Sequence, residues 1–135
     1  IASCLVGSEM CIRDREVGFS EPLSELVTLN LTVLKEIIDF NNLFDRYFFL
    51  RSNVNCVHPD NDRQFSEPHI DHDFPHFNLL VYLSGDGETI VENEKHFPQE
   101  NDVILFTGNH YMKRPSKGRR IILISTIFEY NKNND

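Results

Sequence analysis

The pattern of apolar and polar residues divides the chain into an N-terminal helical part and a longer part made of short strands. Between residues 21 and 40, apolar side chains recur at an imperfect helical spacing, which predicts one or two helices. Ser20-Glu21-Pro22 combines a capping hydroxyl, an acid and a first-turn proline, so it is typical of a helix start. Asn41-Asn42 is expected to end the helical part.

From Tyr47 onward, the apolar runs are short and strand-like. The predicted strands cover residues 48–57, 65–71, 77–83, 89–92, 103–107 and 120–128. Turn residues separate them, as in sandwiches and jelly rolls, and no helical period after residue 45 suggests the crossover helices of an α/β fold. The predicted fold class is therefore mainly β, with one or two N-terminal helices before the strands.

Length and charge exclude several classes of protein. The 135 residues allow one domain with one core. No apolar run approaches the ~18 residues that span a bilayer, so we expect no membrane partner. The net charge of −8 argues against a general nucleic-acid binder, because phosphate contacts need clustered cations. One such cluster, five cations between residues 113 and 120, is either a solvated loop or a site that collects an anionic ligand.

The cysteines indicate the redox setting. Cys4, Cys11 and Cys56 show no regular spacing, so no disulfide framework is predicted. A reducing, intracellular and therefore cytoplasmic location fits this usage better.

Residues 4–15 resemble the translation of a transposase sequencing adapter read in frame. Such a segment is not native and is excluded from fold reasoning, as tags and linkers are. A real N-terminal strand or the remnant of a signal sequence is the alternative. If the resemblance holds, residues 1–15 are non-native, residues 16–135 form the domain without its true N-terminus, and the sequence comes from assembled environmental DNA.

His69-Ile70-Asp71 is the first candidate for metal binding. Side chains alternate faces along a strand, so His69 and Asp71 are expected to point the same way and to bind one ion together. The third ligand must come from elsewhere, and His110, after an apolar strand, is the candidate. Two histidines and one carboxylate form the facial triad of non-haem iron(II) sites, which leaves positions open for a co-substrate and dioxygen.

His58-Pro59-Asp60 shows the same His-X-Asp pattern. Its proline removes a ladder donor and polar residues follow it, so a turn is predicted there instead. Taken alone, a His-X-Asp pattern such as His69-Ile70-Asp71 is more often an accident or a plain surface turn than a metal site, and a histidine at a strand end, such as His110, is more often a loop residue than a ligand. The residues downstream of the motif favour the metal site.

Arg120 is the downstream residue that changes the interpretation. It opens an apolar strand ten residues after His110, where a buried cation is costly unless it meets an anion. Its planar guanidinium matches a carboxylate with two parallel hydrogen bonds. A salt bridge to one of the 21 acidic residues is the plain alternative. Arg119 is the rival cation, which we expect to face the opposite way into solvent.

As an ordered set, these residues resemble the iron(II)/2-oxoglutarate-dependent oxygenase superfamily, in particular its prolyl-4-hydroxylase-like members from phage and environmental genomes. The resemblance runs from about residue 65 to residue 128. The motifs that carry it are, in order, His69-Ile70-Asp71, Tyr82-Leu83-Ser84, Gly85-Asp86-Gly87-Glu88-Thr89, His110, Arg120 and Phe128. Two turn positions depart from the family pattern: Ser84 replaces the usual asparagine, and Asp86 interrupts the glycine pair.

This resemblance implies a double-stranded β-helix, or jelly roll, in which His69, Asp71 and His110 bind iron(II). It implies that Arg120 pairs with the distal carboxylate of 2-oxoglutarate and that the hydroxyl of Tyr82 supports it. The implied activity is a dioxygenase that hydroxylates a small-molecule or peptide substrate and releases succinate and carbon dioxide, with ascorbate as a candidate stimulant. Substrate choice is then expected in the loops around the barrel mouth, mainly residues 73–77.

Two other classes of function fit parts of this pattern. A cupin-like metal protein shares the jelly roll but does not need Arg120. A non-catalytic binding module keeps the fold with incidental metal binding, although an intact triad argues against it. His72 and His76 either line the pocket and hydrogen-bond to the ligands' surroundings or are exposed loop residues.

Overall fold

The computed structural model describes residues 25–84 and 87–130, and the side chains of residues 28–84 and 87–130. The segment that resembles an adapter, the predicted helix start at residues 20–22, and Gly85-Asp86 lie outside the described residues.

The described residues form one helix and seven strands, which confirms the mainly β fold class. The elements are α1 (Glu25–Asn41), β1 (Tyr47–Val57), β2 (Phe77–Tyr82), β3 (Thr89–Val91), β4 (Glu94–His96), β5 (Val103–Phe106), β6 (His110–Met112) and β7 (Arg120–Glu129). A four-stranded sheet has the order β1-β7-β2-β5, and a three-stranded sheet has the order β4-β3-β6. All neighbouring strands are antiparallel.

The chain passes repeatedly between the two sheets, as it does in a jelly roll. After β1 it crosses to the small sheet, returns as β2, forms the β3–β4 hairpin, returns as β5, crosses as β6 and ends as β7. Glu92 and Asn93 form the two-residue turn of that hairpin, and both adopt positive φ angles, 46° and 72°. This conformation follows the right-handed twist of the flanking strands.

The predicted strand at residues 65–71 was wrong in detail. This segment runs along β6 but makes only two isolated antiparallel bridges, Phe65 with Lys113 and His69 with His110. Pro68 lies between them, and its missing N–H interrupts a regular ladder. His110 follows the apolar strand β5, as the sequence indicated, but it begins a separate short strand, β6, in the other sheet.

Each face of the large sheet has its own apolar cluster. On the outer face, Leu79, Val81, Leu123 and Ile127 pack with residues of α1. On the inner face, toward the small sheet, the buried cluster consists of Leu80, Tyr82, Met112, Ile122 and Ile124. Alternation along β2 and β7 explains the division, since neighbouring residues of a strand point to opposite faces.

Helix α1 covers the outer face through residues one turn apart. Leu34 and Ile38 are fully buried there. The helix ends where the sequence predicted: Asn42 has a φ of 50°, its N–H bonds to the carbonyl of Asp39, and that of Leu43 bonds to the carbonyl of Ile38. This is the Schellman arrangement, which satisfies the last carbonyls of a helix. Among the described residues, no helix combines the length and apolar character needed to cross a bilayer.

The packing of α1 can be tested with two leucines of the same helix. Leu34 is fully buried, whereas Leu29 is 58% exposed. Leu34→Ala should lower the free energy of unfolding by about 2–5 kcal/mol, because it leaves a cavity against the sheet. Leu29→Ala should change it by roughly 0.5 kcal/mol or less. Urea denaturation followed by circular dichroism measures both, and equal losses would contradict this packing.

Candidate metal centre and its surroundings

His69 and His110 are brought together by the backbone. Each residue donates its N–H to the carbonyl of the other, at 3.0 Å in both directions. Residues directly opposite in an antiparallel bridge project to the same side. The two imidazole rings therefore lie next to each other, with their centroids 4.5 Å apart.

Both histidines have the tautomer that a metal ligand needs. Nδ1 of His69 lies 2.9 Å from the carbonyl oxygen of Glu67, and Nδ1 of His110 lies 3.2 Å from that of Gly108. A carbonyl only accepts, so Nδ1 carries the proton in each ring and, in the neutral ring, Nε2 has a lone pair. A hydrogen bond from the other ring nitrogen to a backbone carbonyl commonly fixes the tautomer and orientation of metal-binding histidines.

Asp71 completes the cluster. Its side chain is only 3% exposed, and its Oδ1 accepts a hydrogen bond from Arg51. Its Oδ2 is buried without a hydrogen-bond partner among the described residues, and it lies 3.5 Å from Nε2 of His110. One ligand atom from each of His69, Asp71 and His110 lies within 4.8 Å of the other two. The three predicted ligands therefore converge, and the unpartnered carboxylate oxygen and the two lone pairs fit a divalent metal ion.

The local charges favour the protonation states that metal binding requires. Burial raises the pKa of the Asp71 carboxyl, but the charge of Arg51, followed by that of His110, outweighs this effect and brings the pKa below its ordinary value. Burial lowers the pKa of His110, although Asp71 opposes the shift. An ionised carboxylate and a neutral imidazole are the forms that bind metal.

Arg51 reaches Asp71 because β1 contains a bulge. The register of β1 against β7 shifts between Phe49 and Arg51. Phe49 packs with the outer cluster, so regular alternation would also turn Arg51 outward. The extra residue at position 50 changes the alternation and turns Arg51 toward the inner face. Bulges commonly aim a side chain in this way beside functional sites.

Arg120 is fully buried at the start of β7. Its Nη1 donates to the carbonyl oxygens of Glu88 and Lys113, at 3.1 and 2.9 Å, and its Nη2 donates to Oγ1 of Thr89 at 2.9 Å. The guanidinium also lies over the ring of Tyr82, with its carbon 5.2 Å from the ring centre. These contacts fix the plane of the guanidinium in the interior of the jelly roll.

The hydroxyl of Tyr82 joins the same network. It lies 2.7 Å from Oγ1 of Thr89, which also accepts from Arg120. Burial raises the pKa of this hydroxyl, so it stays protonated at neutral pH. Gly87 allows the close approach on the other side, since a Cβ there would stand 2.8 Å from the Lys113 carbonyl oxygen and 3.3 Å from Nη1 of Arg120.

The small sheet connects Arg120 to the triad. Val91 pairs with His110 and Thr89 pairs with Met112, so the hydroxyl that holds Arg120 lies two residues along β3 from the partner of His110. Two strand residues correspond to roughly 7 Å. Thr89, Val91, His110 and Met112 are all buried. Arg120 and His110 are thus held by neighbouring positions of the small sheet.

The other residues that the sequence singled out lie in a turn, on the surface and beside the triad. Asp60 of His58-Pro59-Asp60 accepts the N–H groups of Asp62 and Arg63 through Oδ1, so this motif is the predicted turn. Arg119 is exposed. His72 is half-buried, with Nε2 3.0 Å from Oγ1 of Thr126, and His76 is buried. Neither histidine is therefore an exposed loop residue.

Sequence reasoning missed three residues that shape this region. Arg51 carried no signal, because its partner Asp71 is distant in sequence and the bulge is not visible in the pattern. Gly108 has a φ of 93°, a conformation that favours glycine, and its carbonyl orients His110. Asn78 could have been noticed, since it is a polar residue inside the apolar strand β2.

Solved structures of other proteins share this fold. A viral collagen prolyl hydroxylase from Paramecium bursaria Chlorella virus-1, in complex with 2-oxoglutarate, matches with a TM-score of 0.58 and 20% identity, over 83% of this chain and 76% of that chain. A truncated form of the viral enzyme gives a TM-score of 0.56 and 20% identity, over 80% and 70%. A cupin protein from Bacteroides fragilis gives 0.46 and 13%, over 67% and 82%.

No protein-family model matches the sequence, and a search of curated proteins finds no match. The likeness to solved structures, at these identities, concerns the fold and not the chemistry. The chain shares the β-sandwich architecture of the viral hydroxylase.

The turn before His110 gives a test of how the metal ligand is positioned. A Cβ at Gly108 would clash with the carboxylate of Glu92, whose Oε1 accepts the N–H of Asn109 at 2.5 Å, so the Glu92 side chain would have to move and release that N–H. Gly108→Ala should therefore shift the turn and lower the affinity for zinc(II) or iron(II) by about tenfold or more, as loss of a ligand's orienting partner does. Isothermal titration calorimetry measures this affinity.

Gly118→Ala is the matched control for that experiment. Gly118 also has a positive φ, 70°, but a Cβ there meets nothing within 4 Å. Both alanines should lose about 1–2 kcal/mol of stability from backbone strain, whereas only Gly108→Ala should lose metal affinity. The same metal affinity in both variants would show that the turn does not position His110.

Proposed function

We propose that this chain is an iron(II)- and 2-oxoglutarate-dependent dioxygenase domain that hydroxylates a substrate and releases succinate and carbon dioxide. The observation that carries the proposal is the combination of a convergent His-Asp-His cluster with a buried arginine held on the same inner surface. Either part alone has other uses. Together they provide for a metal ion and for an anionic co-substrate beside it.

The residues fit the metal at the level of individual atoms. His69 and His110 would each bind it through Nε2, because Nδ1 of each ring is occupied by a backbone carbonyl. Asp71 would bind it through Oδ2, because Oδ1 accepts from Arg51. Three protein ligands of this kind leave positions open for exchangeable ligands, which is the arrangement preferred by non-haem iron(II) oxygenases.

When bound, iron(II) with 2-oxoglutarate and dioxygen supplies the oxidising power for hydroxylation, which no protein side chain can supply. The task of Arg120 is to hold the far carboxylate of the co-substrate. Its guanidinium is oriented in advance by two carbonyls and by Thr89, so little side-chain entropy is lost on binding. Tyr82, through Thr89, helps to fix that orientation.

The interior between Arg120 and the triad is apolar. Leu80, Met112, Ile122 and Ile124 are buried there with Tyr82. Such walls exclude water and lower the local dielectric constant, which strengthens the attraction between Arg120 and a carboxylate. They also shield a reactive metal centre from unproductive reactions with solvent.

The first test of this function is a binding experiment without turnover. Under anaerobic conditions, N-oxalylglycine, an inert analogue of 2-oxoglutarate, should raise the melting temperature when iron(II) is present and should have little effect without it. Binding to the folded state stabilises by mass action, about 2.7 kcal/mol at a ligand concentration 100 times Kd. Differential scanning fluorimetry measures this shift, and succinate formation from 2-oxoglutarate in air would follow it.

Two other results would point away from an oxygenase. Stabilisation by iron(II) with no further effect of N-oxalylglycine would indicate a cupin-like metal protein that does not use 2-oxoglutarate. No effect of either ligand on a folded sample would indicate a binding module without a metal centre.

The role of Arg120 needs a variant that keeps its charge. Arg120→Lys retains the cation but loses the planar fork. It should weaken N-oxalylglycine binding by about tenfold or more, since a hydrogen bond to a charged group contributes about 1.5–3 kcal/mol and 1.4 kcal/mol is tenfold. Its affinity for metal should stay close to that of the unmodified chain. The exposed Arg119 provides the control, and Arg119→Lys should change neither affinity.

An equal loss of metal and N-oxalylglycine binding in Arg120→Lys would contradict the assigned role. It would mean that Arg120 supports the fold of the small sheet and not the co-substrate.

A further inference from the structure

The inner face of the large sheet carries a row of polar side chains beside the metal centre. Cross-strand pairing aligns Arg51, Thr126, Asn78 and Phe106 in one row across β1, β7, β2 and β5. Residues opposite each other in antiparallel strands have Cβ atoms about 4.5–5.5 Å apart. Asn78 therefore lies between Thr126 and Phe106.

Both cross-strand neighbours of Asn78 contact either a residue of the triad or the residue that follows Asp71. Thr126 hydrogen-bonds His72, which follows Asp71 in the chain, and the ring of Phe106 packs against that of His110 with centroids 5.0 Å apart. Asn78 consequently lies on the inner face of the large sheet, between two residues that contact the triad or the residue next to it.

The carboxamide of Asn78 is fully buried, and neither Oδ1 nor Nδ2 has a hydrogen-bond partner within the part of the chain described. Leaving a buried polar group without a partner costs about 1–3 kcal/mol. A leucine of similar volume would avoid this cost in a strand whose next two residues are leucines. Asn78 thus lowers the stability of the unliganded protein, and a bound ligand would supply its missing hydrogen-bond partners.

His76 provides a second unpartnered group at the same place. It directly precedes β2, and its ring lies 4.7 Å from that of His72, which hydrogen-bonds Thr126, the cross-strand neighbour of Asn78. Its ring is 6% exposed, its Nδ1 lies 2.8 Å from the carbonyl oxygen of Phe74, and its Nε2 is buried without a partner among the described residues. Because the carbonyl accepts from Nδ1, Nε2 of the neutral ring is a hydrogen-bond acceptor.

The two side chains together define the chemistry of their ligand. They present two acceptors, Nε2 of His76 and Oδ1 of Asn78, and the two N–H groups of the Asn78 amide as donors. A carboxylate has no donor and would leave both acceptors without partners, and an alcohol has only one. A primary carboxamide offers two N–H donors and a carbonyl acceptor, which satisfies all of them.

We propose that His76 and Asn78 form a subsite beside the metal centre that binds a primary carboxamide group of the molecule to be oxidised. This inference rests on the proposed oxygenase function for the role of that molecule as substrate. Binding of the carboxamide itself requires only the two side chains. A test without metal therefore separates the failure of this subsite from the failure of the oxygenase function.

Acetamide and acetate are suitable probes, because they have nearly the same shape but only acetamide carries N–H donors. In nuclear magnetic resonance titrations of the isotope-labelled chain, acetamide should shift the ring-nitrogen resonance of His76 saturably, and acetate should not. The response should be lost in Asn78→Leu. In His76→Phe, which keeps an aromatic ring against His72 and Phe74, acetamide should no longer shift the side-chain amide resonances of Asn78, as it should in the unmodified chain. Asn53→Leu, an exposed residue in the next row, should respond like the unmodified chain.

The stability of Asn78→Leu gives a second, independent readout. Removing an unpartnered buried amide should raise the melting temperature of the unliganded chain by roughly 2–4 °C. A lower melting temperature together with an unchanged acetamide response would show that Asn78 is a structural residue, with water completing its hydrogen bonds, and would overturn the proposal. No response to acetamide, or an equal response to acetate, would overturn it as well.

Discussion

Two hydrogen bonds, exchanged between the backbones of His69 and His110, hold the centre of this molecule together. The segment around His69 has no regular ladder, because Pro68 prevents one, and this bridge sets its register on β6. With it, His69 and Asp71 are placed against His110. Without this bridge, the side chains of His69, Asp71 and His110 would not lie close together. The candidate metal centre thus depends on a short contact at the edge of the small sheet, while the large sheet provides the stable frame.

The electrostatics of the centre follow from this placement. A buried carboxylate next to two imidazoles needs a compensating charge, and Arg51 supplies it from the large sheet. Arg51 uses one acceptor site of Oδ1, whereas Oδ2 has no hydrogen-bond partner among the described residues and is the more available oxygen. The arginine therefore both keeps Asp71 ionised and favours Oδ2 over Oδ1 as the atom that would bind an ion. This arrangement depends on the bulge in β1. An irregularity in the large sheet therefore controls the charge of Asp71, which belongs to the segment that runs along the small sheet.

The sequence predicted the fold class, the helix end and the convergent triad, because each has a local signature: apolar alternation, paired asparagines, and a His-X-Asp motif with a later histidine. It could not predict what depends on distant pairing. Arg51 is oriented by a bulge in β1 that no residue type in the sequence indicates. Residues 65–71 have the pattern of a strand, but Pro68 prevents them from forming a regular ladder with β6. The strands β4 and β6 were missed because three residues are too few to show a period and because both lack the β-branched residues that marked β3, which is equally short.

Strand β2 shows how one element can serve both stability and function. Its outward residues, Leu79 and Val81, are buried under α1 and carry the stability of the large sheet. Its inward residues change along the strand, from Tyr82 beside Arg120 to Asn78 beside the triad. A strand with apolar residues on both faces would pack better, so the polar residues on the inner face lower stability in the unliganded state. Because α1 compensates on the opposite face, the sheet can keep unsatisfied hydrogen-bonding groups oriented toward a ligand before that ligand arrives.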